Sequence, residues 1–515
     1  MKLKLFLYII TFFVIVSLPT ACNKDIVMLE HLVPLEPIDS DANARTWTPI
    51  LLTSNDQILV PVPEDINSVA YKTELETIKN VQANLNEEQK RAIEYWSGGG
   101  VLRWNQIMRE LVARFNLPPA PNAEGNYPVP DPENPFGDPM FPFSNPPYAA
   151  RAYSYVSAAQ YDALKAAWYY KYTYNRLSPF QNDPTIKALV PESNLPAYPS
   201  EDAVMSGVMA EMLKMFFPAA VEEITLKAAE QRNVALWSGK AASSDVAAGL
   251  ALGKSVAELF KEKAATDGMK NSTGNKIIWK SYEDIALNIG EIPWSCLESP
   301  VRPPMLMAFG QVKAWMLSPE DIVMERPLPP PSTSSAKMKE ELEEVLHYTK
   351  NATREQIAIV HKWADGVGTY TPPGHWNDIA AEFIRDARFS EVRASRAFAL
   401  LNIALHDAAV GCWETKFHYF NPRPCQLNPE IKTTAGVPNF PAFTSGHSTF
   451  SAAAATVLSY LFPQNSEYFH QQANEAALSR LYGGIHFRSD VEMGTEHGFA
   501  IGNYTIRFAQ EDNAK

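Results

Sequence analysis

Hydrophobic residues recur three and four positions apart over long stretches of the chain, which is the spacing that gives an α-helix one apolar face. The alternation of apolar and polar residues that marks strands is almost absent. The spacing predicts helices over residues 149–174, 203–217, 220–235, 244–265, 337–349, 354–364, 392–418 and 466–482. The predicted fold class is therefore mainly α, with a core made by helix packing.

The helical pattern occurs twice, because residues 151–249 match residues 396–494 at a constant offset of 245. Identical residues at matching positions include Arg151/Arg396, Asp162/Asp407, Trp168/Trp413, Lys171/Lys416, Ser200/Ser445 and Asp245/Asp490. The sequence thus predicts two tandem helical bundles that arose by internal duplication. The predicted boundaries are an N-terminal arm over 23–80, a first repeat over 81–325 and a second repeat over 326–515.

The N-terminus has the pattern of a secretory signal over residues 1–22. Lys2 and Lys4 precede the apolar run 5–18, and a lipoprotein-type cleavage pattern leads to Cys22. We expect export to the periplasm or cell surface, with Cys22 carrying a lipid anchor to a bacterial membrane; a plain signal peptide is the alternative. No later run approaches the roughly 18 apolar residues of a membrane span. Membrane contact is therefore predicted only through the N-terminal anchor.

Composition narrows the class of protein further. A 515-residue chain that is 46% hydrophobic and 20% charged is typical of a folded protein. The net charge of −13 disfavours a general nucleic-acid partner, since phosphate backbones require clustered Lys and Arg. Beyond Cys22, the odd set Cys296, Cys412 and Cys425 argues against a disulfide framework. Buried free thiols are favoured, and pairing of Cys412 with Cys425 stays open.

Candidate chemistry is concentrated in three fragments of the second repeat. They are Lys416-x6-Arg423-Pro424, Ser445-Gly446-His447 and Arg480-x5-His486-x3-Asp490. Three fixed cations in one pocket repel one another, so they make sense only around a ligand with several negative charges. Ser445 and Gly446 precede a predicted helix over 451–461, where hydroxyl and N–H groups bind anions. His486 and Asp490 are four residues apart, which predicts a shared helix face on which the carboxylate either holds the imidazole or stabilises a neighbouring cation.

The first repeat lacks this chemistry although it keeps the helical pattern. At the positions of Arg423, His447, Arg480 and His486 it has Ser178, Asp202, Ala235 and Ala241. A motif needed only for folding would be expected in both repeats. The sequence therefore predicts an active site in the second repeat alone.

In order and internal spacing, the three fragments resemble the signature of vanadium-dependent haloperoxidases and type-2 phosphatidic acid phosphatases. The resemblance covers about the last hundred residues and implies a helical-bundle fold. It implies that Lys416, Arg423 and Arg480 bind an oxyanion and that His447 is the catalytic acid/base. It also implies that His486 bonds vanadium or phosphorus. The signature commonly has proline where this chain has Thr444.

The resemblance leaves more than one function open. A haloperoxidase would hold vanadate as cofactor, and vanadate-bound hydrogen peroxide would oxidise halide to hypohalous acid, with Trp413 and Phe440 lining the halide pocket. A phosphatase would hydrolyse phosphomonoesters through a phosphohistidine, with phosphate in the same site. A third reading is a non-catalytic lipoprotein that only binds oxyanions. The haloperoxidase is the favoured prediction, and the oligomeric state is left open.

Overall fold

Helices are the regular elements of the computed structural model, which describes residues 32–124 and 143–514; no strand occurs in these ranges. The first half contains α1 Val69–Ala83, α2 Glu87–Ser97, α3 Gly100–Phe115, α4 Pro146–Tyr174, α5 Pro179–Asn182, α6 Glu201–Phe216, α7 Val221–Trp237, α8 Ser243–Ala265 and α9 Lys276–Asn288. The second half contains α10 Pro319–Met324, α11 Ala336–Asn351, α12 Arg354–Lys362, α13 Thr371–Asp386, α14 Glu391–Tyr419, α15 Pro424–Leu427, α16 Gly446–Leu461, α17 Ser466–Tyr482 and α18 Arg488–Glu511. The mainly α prediction is confirmed.

Residues 34–515 form one compact unit. None of the helices in the described ranges is long and apolar enough to cross a membrane. The predicted signal sequence and Cys22 lie outside the described residues, and the domain boundaries drawn from the sequence stay predictions.

The internal duplication is visible in matching helices and matching hydrogen bonds. The long helices α4 and α14 each have 29 residues, and α7 and α17 each have 17. Arg151 on α4 donates from Nε to Asp267 at 2.7 Å, and Arg396 on α14 donates from Nε to Asp512 at 2.6 Å. Asp267 follows α8 and Asp512 follows α18, which are corresponding helices of the two repeats. An equivalent buried ion pair therefore joins the long helix of each repeat, α4 or α14, to the residues that follow α8 or α18.

The two repeats meet where corresponding residues touch one another. Asn402 on α14 donates from Nδ2 to Ser157 Oγ on α4 at 2.9 Å, across the offset of 245. Asn105 on α3 likewise donates to Asn377 Oδ1 on α13 at 2.8 Å, and Trp104-Asn105 corresponds to Trp376-Asn377 at an offset of 272. Contacts between a residue and its own counterpart are those of an interface with two-fold symmetry. The repeats therefore pack about an approximate two-fold axis, with α4 against α14 at its centre.

Helix ends in the second repeat set the positions of the candidate site residues. The helix α14 ends at Tyr419 because Phe420 adopts the left-handed conformation (φ 52°), two residues before Pro422. Ser445 caps α16, and its Oγ accepts the Ser448 N–H. This helix begins at Gly446 rather than at residue 451. Polar residues with weak helix propensity fill its first turn, so periodicity alone missed the start.

Candidate active site

Lys416 lies in the last turn of α14, and its side chain is fully buried. Its Nζ donates to the backbone carbonyls of Pro441, Ala442 and Thr444, the first two at 2.9 and 2.8 Å. Carbonyl oxygens hold an ammonium in place without cancelling its charge. Burial lowers the pKa of Lys416 to about 7, and the nearby Arg423 acts in the same direction. The carbonyls therefore position the Lys416 amine without supplying a negative charge, and a bound anion would favour its protonated form.

Arg423 precedes α15 and is also fully buried. Its Nε and Nη2 donate to the Phe440 carbonyl at 3.1 and 2.9 Å. Nη1 donates to the Ile485 carbonyl at 2.9 Å and contacts His486 Nε2 at 3.0 Å. Burial lowers the pKa of Arg423 to about 10. The guanidinium thus joins the segment after α14 to the segment before α18.

Arg480 lies in the last turn of α17, which ends at Tyr482, directly before Gly483-Gly484. Its Nη2 donates to the Trp363 carbonyl after α12, and its Nε donates to Ser479 Oγ at 2.8 Å. Burial lowers the pKa of Arg480 to about 10, although Asp365 acts in the opposite direction. Three separate chain segments therefore bring three cations into one buried site.

No carboxylate of the described residues forms an ion pair with Lys416, Arg423 or Arg480; their partners are backbone carbonyls, a serine hydroxyl and an imidazole. Removing an ion from water costs several kcal/mol, and like charges in one buried site add repulsion. An anion with more than one charge would offset both costs. The electrostatics of the site therefore match a tetrahedral oxyanion such as vanadate or phosphate.

His486 is held between an acceptor and a donor. Its Nδ1 lies 2.9 Å from Asp490 Oδ2, and its Nε2 faces the guanidinium of Arg423. Arg423 has only donors, so Nε2 accepts and the ring proton is assigned to Nδ1. Burial, together with Arg423, Lys416 and Arg480, keeps the pKa of His486 well below its usual value. His486 is therefore a neutral imidazole with a lone pair on Nε2.

The contact between His486 and Asp490 is the predicted one, but the predicted shared helix face is wrong. The helix α18 begins at Arg488, so His486 lies before it. Asp490 is in the first turn, where its Oδ2 accepts the Phe487 N–H at 3.0 Å as a helix cap. Burial raises the pKa of Asp490 to about 7, although the Phe487 N–H and Lys416 act in the other direction. A capping carboxylate, rather than helical spacing, orients the imidazole.

Ser445, Gly446 and His447 form the start of α16. N–H groups in a first turn have no partner within the helix, which makes them available to an anion. A Cβ added to Gly446 would come no closer than 3.7 Å to any other residue, so there is room in front of the backbone. His447 Nε2 is buried and has no hydrogen-bond partner in the described part of the chain. This nitrogen, close to Arg480 and Lys416, is therefore free to exchange a proton with a bound ligand.

Two residues near His447 were not assigned from the sequence. Asp365 Oδ2, in the loop after α12, lies 3.7 Å from His447 Nε2. His375, which the sequence left without a role, places Nδ1 at 3.1 and 3.2 Å from the two Asp365 oxygens and stacks on Trp363 with centroids 4.2 Å apart. One carboxylate thus faces two imidazoles. A comparison of the repeats could have pointed to Asp365. Trp96 corresponds to Trp363 at an offset of 267, and at the same offset Asp365 corresponds to Gly98, which has no carboxylate.

Trp413 and Phe440 form an aromatic wall beside the cations, with ring centroids 4.9 Å apart. The Lys416 ammonium lies 5.1 Å from the Phe440 centroid and 6.0 Å from that of Trp413. The Trp413 Nε1 donates to the Met305 carbonyl, as Trp168 in the first repeat donates to Ser40. This shared structural bond explains why both repeats have the tryptophan. In the second repeat the ring also borders the site.

The cysteines near the site are free, with Cys412 buried and Cys425 partly exposed. The Sγ of Cys412 lies 3.7 Å from the Thr444 carbonyl, which also accepts a hydrogen bond from Lys416. The expectation of free thiols agrees with the structure, whereas the expectation that they are buried holds only for Cys412, because Cys296 and Cys425 are partly exposed.

The fold and the site define an all-helical protein with a buried oxyanion site in its C-terminal repeat. A family model for the PAP2 superfamily matches residues 396–514, which contain every predicted oxyanion-binding residue. The predicted superfamily is confirmed, and residues 396–514 belong to it. No curated protein matches the chain.

The fold is similar to solved structures of bacterial vanadium-dependent peroxidases. One is described as the first bacterial vanadium-dependent iodoperoxidase, with a TM-score of 0.57 and 21% identity over 79% of this chain and 95% of that chain. Two others are apo-type and holo-type bacterial vanadium-dependent chloroperoxidases, with TM-scores of 0.49 and 0.48 and identities of 15% and 13%. They cover 77% and 76% of this chain and 96% of each of those chains. The iodoperoxidase match shows that this chain shares the fold over most of its length.

Proposed function

We propose that the protein is a vanadate-dependent haloperoxidase, which uses hydrogen peroxide to oxidise halide to hypohalous acid. The observation that carries the proposal is the uncompensated charge of Lys416, Arg423 and Arg480 in a site almost closed to solvent. Buried cations without carboxylate partners need an anion of more than one charge. Vanadate meets that need, and His486 supplies a neutral nitrogen that can bind vanadium.

The residues fit vanadate as follows. Lys416, Arg423 and Arg480 would bind its oxygens together with the N–H groups at the start of α16, and His486 Nε2 would bind the metal. Once bound, vanadate supplies a Lewis-acidic centre at which hydrogen peroxide is activated for attack by halide. Binding requires Arg423 to give up its present bond to His486 Nε2. Asp490 keeps the imidazole oriented meanwhile, because it holds the proton on Nδ1.

His447 is the group that moves protons in this proposal. Burial and the nearby Arg480 keep the pKa of His447 well below its usual value, so the free imidazole is neutral. It can accept a proton at Nε2 from incoming peroxide, which is general base catalysis. Asp365, 3.7 Å from Nε2, stabilises the resulting imidazolium. The same nitrogen then returns the proton to the oxygen that departs.

The closed geometry favours small substrates. Lys416, Arg423, Arg480 and His486 are buried, and His447 is the most open member with 16% of its side chain exposed. Hydrogen peroxide and halide ions can enter such a site, whereas a bulky phosphate ester needs a wider opening. The aromatic wall of Trp413 and Phe440 suits a large, weakly hydrated anion more than a strongly hydrated one.

Hydrolysis of phosphomonoesters is the second candidate, and the state of His486 favours it. A neutral imidazole with its proton held by Asp490 is a ready nucleophile at Nε2. His486 would attack phosphorus and form a phosphohistidine, His447 would protonate the leaving oxygen, and the cations would stabilise the equatorial oxygens. Water would then release phosphate from the histidine.

The test compares the full chain with and without orthovanadate in assays of bromide and iodide oxidation by peroxide and of aryl-phosphate hydrolysis. Vanadate-dependent halide oxidation is the expected result. Hydrolysis that vanadate inhibits would replace the proposal with the phosphatase. Vanadate binding without either turnover would contradict both and identify a binding protein.

The repeats offer a matched pair of control variants for this test. Trp413→Phe removes part of the aromatic wall and should lower halide oxidation while vanadate still binds. Trp168→Phe makes the same change in the first repeat and should leave turnover at the wild-type level. Equal losses in both variants would show that the tryptophan acts only through folding.

A further inference from the structure

The first repeat retains the lysine scaffold of the active repeat. Lys171 on α4 corresponds to Lys416 on α14, and both side chains are fully buried. Lys171 Nζ donates to the carbonyl of Pro196, and Lys416 Nζ donates to the carbonyl of the corresponding Pro441. The ammonium groups are therefore held in equivalent places by equivalent backbone. Lys416 has two further carbonyl partners, of Ala442 and Thr444, whereas the further partner of Lys171 is a carboxylate.

In the first repeat a carboxylate faces the buried ammonium. Glu201 follows the capping Ser200 at the start of α6, at the position of Gly446. Its Oε2 lies 2.6 Å from Lys171 Nζ, and its Oε1 lies 2.6 Å from Lys240 Nζ. One side chain thus bridges two cations with two oxygens, as two oxygens of a tetrahedral oxyanion would.

The charges of this cluster balance, unlike those of the second repeat. Lys240 also pairs with Asp202, at 2.8 Å, and Asp202 stands at the position of His447. The cluster of Lys171, Glu201, Asp202 and Lys240 therefore has two positive and two negative groups. Although burial raises the pKa of Glu201, Lys171 and Lys240 outweigh it and hold the pKa at about 2. The Glu201 carboxylate therefore stays ionised and occupies the position between the two lysines that a bound anion would take.

We propose that the first repeat contains a second oxyanion site, closed by the side chain of Glu201. Removing that side chain opens a site for a tetrahedral dianion such as phosphate between Lys171 and Lys240. The Lys240 side chain is 30% exposed, so the site has a route to solvent. Bound phosphate would undergo no reaction there, because Ala241 and Asp202 stand where the second repeat has its two histidines.

The proposal uses the second repeat as its template but does not need that repeat to be catalytic. The experiment counts phosphate ions bound per chain by equilibrium dialysis with radiolabelled inorganic phosphate. Glu201→Gly, which copies the active repeat, should bind one phosphate more than the wild type. The double variant Glu201→Gly with Lys171→Met should lose that extra phosphate. Glu201→Gln should not gain one, because its amide fills the space and leaves no opening.

The counts separate the two proposals. A wild type that binds none and a Glu201→Gly variant that binds one would support the closed site and count against the oxyanion site of the second repeat. A folded Glu201→Gly variant with the wild-type count would overturn the closed site. If this variant unfolds because Lys171 has lost its partner, excess phosphate must restore its circular dichroism spectrum. Failure of that rescue would also overturn the proposal.

Discussion

The substitution His497→Leu should make the protein less sensitive to acid. His497 lies on α18 with 3% exposure, and neither ring nitrogen has a hydrogen-bond partner in the described residues. The corresponding residue of the first repeat is Leu252, which is also buried. A Cβ on Gly411 would lie 3.1 Å from His497 Nε2, so that glycine makes room for the ring; the first repeat has Ala166 there. The equivalent packing of helices in the first repeat therefore already accommodates a leucine at this position.

The magnitude follows from the pKa of His497, which burial lowers from 6.5 to about 4. As pH falls below 6.5, the unfolded chain takes up a proton that the folded chain does not. Because the folded-state pKa is the lower one, stability is lost as pH falls from about 6.5 to about 4. At about 1.4 kcal/mol per pKa unit, the loss is about 2 kcal/mol by pH 5 and approaches about 3 kcal/mol near pH 4. The leucine variant lacks this loss.

Urea unfolding of both proteins at pH 7.5 and pH 5 measures the effect. The difference in unfolding free energy between variant and wild type should grow by about 2 kcal/mol in favour of the variant at the lower pH. His497→Gln should show the same flattened pH profile at lower overall stability, since it removes the titrating group but keeps buried polar atoms. A difference that stays constant with pH would refute the reasoning, because it would mean that His497 is protonated equally in both states.

Three further predictions concern the second repeat. His486→Ala should abolish vanadate-dependent turnover and weaken vanadate binding, measured by calorimetry; unchanged turnover would contradict the assignment. His447→Ala should leave vanadate affinity intact while lowering kcat by about 100-fold or more, the usual contribution of a general acid/base; lost binding with normal folding would rule out that role. Asp365→Asn, which keeps the size of the side chain, should lower kcat by about tenfold with unchanged vanadate affinity. If Asp365 only supports folding, kcat would stay constant and thermal stability alone would fall.

The repeat comparison explains why so much of the fold could be predicted. Helical spacing located most of the long helices, and the match of Lys171 with Lys416 placed both lysines on equivalent helices. The structure adds the contact of each repeat with the other, such as Asn402 with Ser157. That contact could not be read from spacing, because it depends on how two long helices cross rather than on either sequence alone.

The limits of sequence reasoning are clearest at His486 and Asp365. Spacing of four suggested a shared helix face for His486 and Asp490, but a helix cap makes the contact, since α18 starts between the two residues. Asp365 was missed because it lies in a loop far along the chain from His447, and only folding brings them together. Local spacing reports on neighbours along one element, and neither of these contacts is of that kind.

The two repeats differ in how the charge of the buried lysine is compensated. Lys171 is paired with the carboxylate of Glu201, whereas Lys416 is held by neutral carbonyls that supply no negative charge. A permanent partner stabilises the first repeat without a ligand, but it also fills the space that a ligand would need. In the second repeat the cations are already in position, so binding an oxyanion requires little rearrangement beyond the Arg423 bond to His486. Under the proposed function, uncompensated charge is therefore what allows the second repeat to bind an oxyanion, and a substitution that neutralises it should stabilise the fold while abolishing that binding.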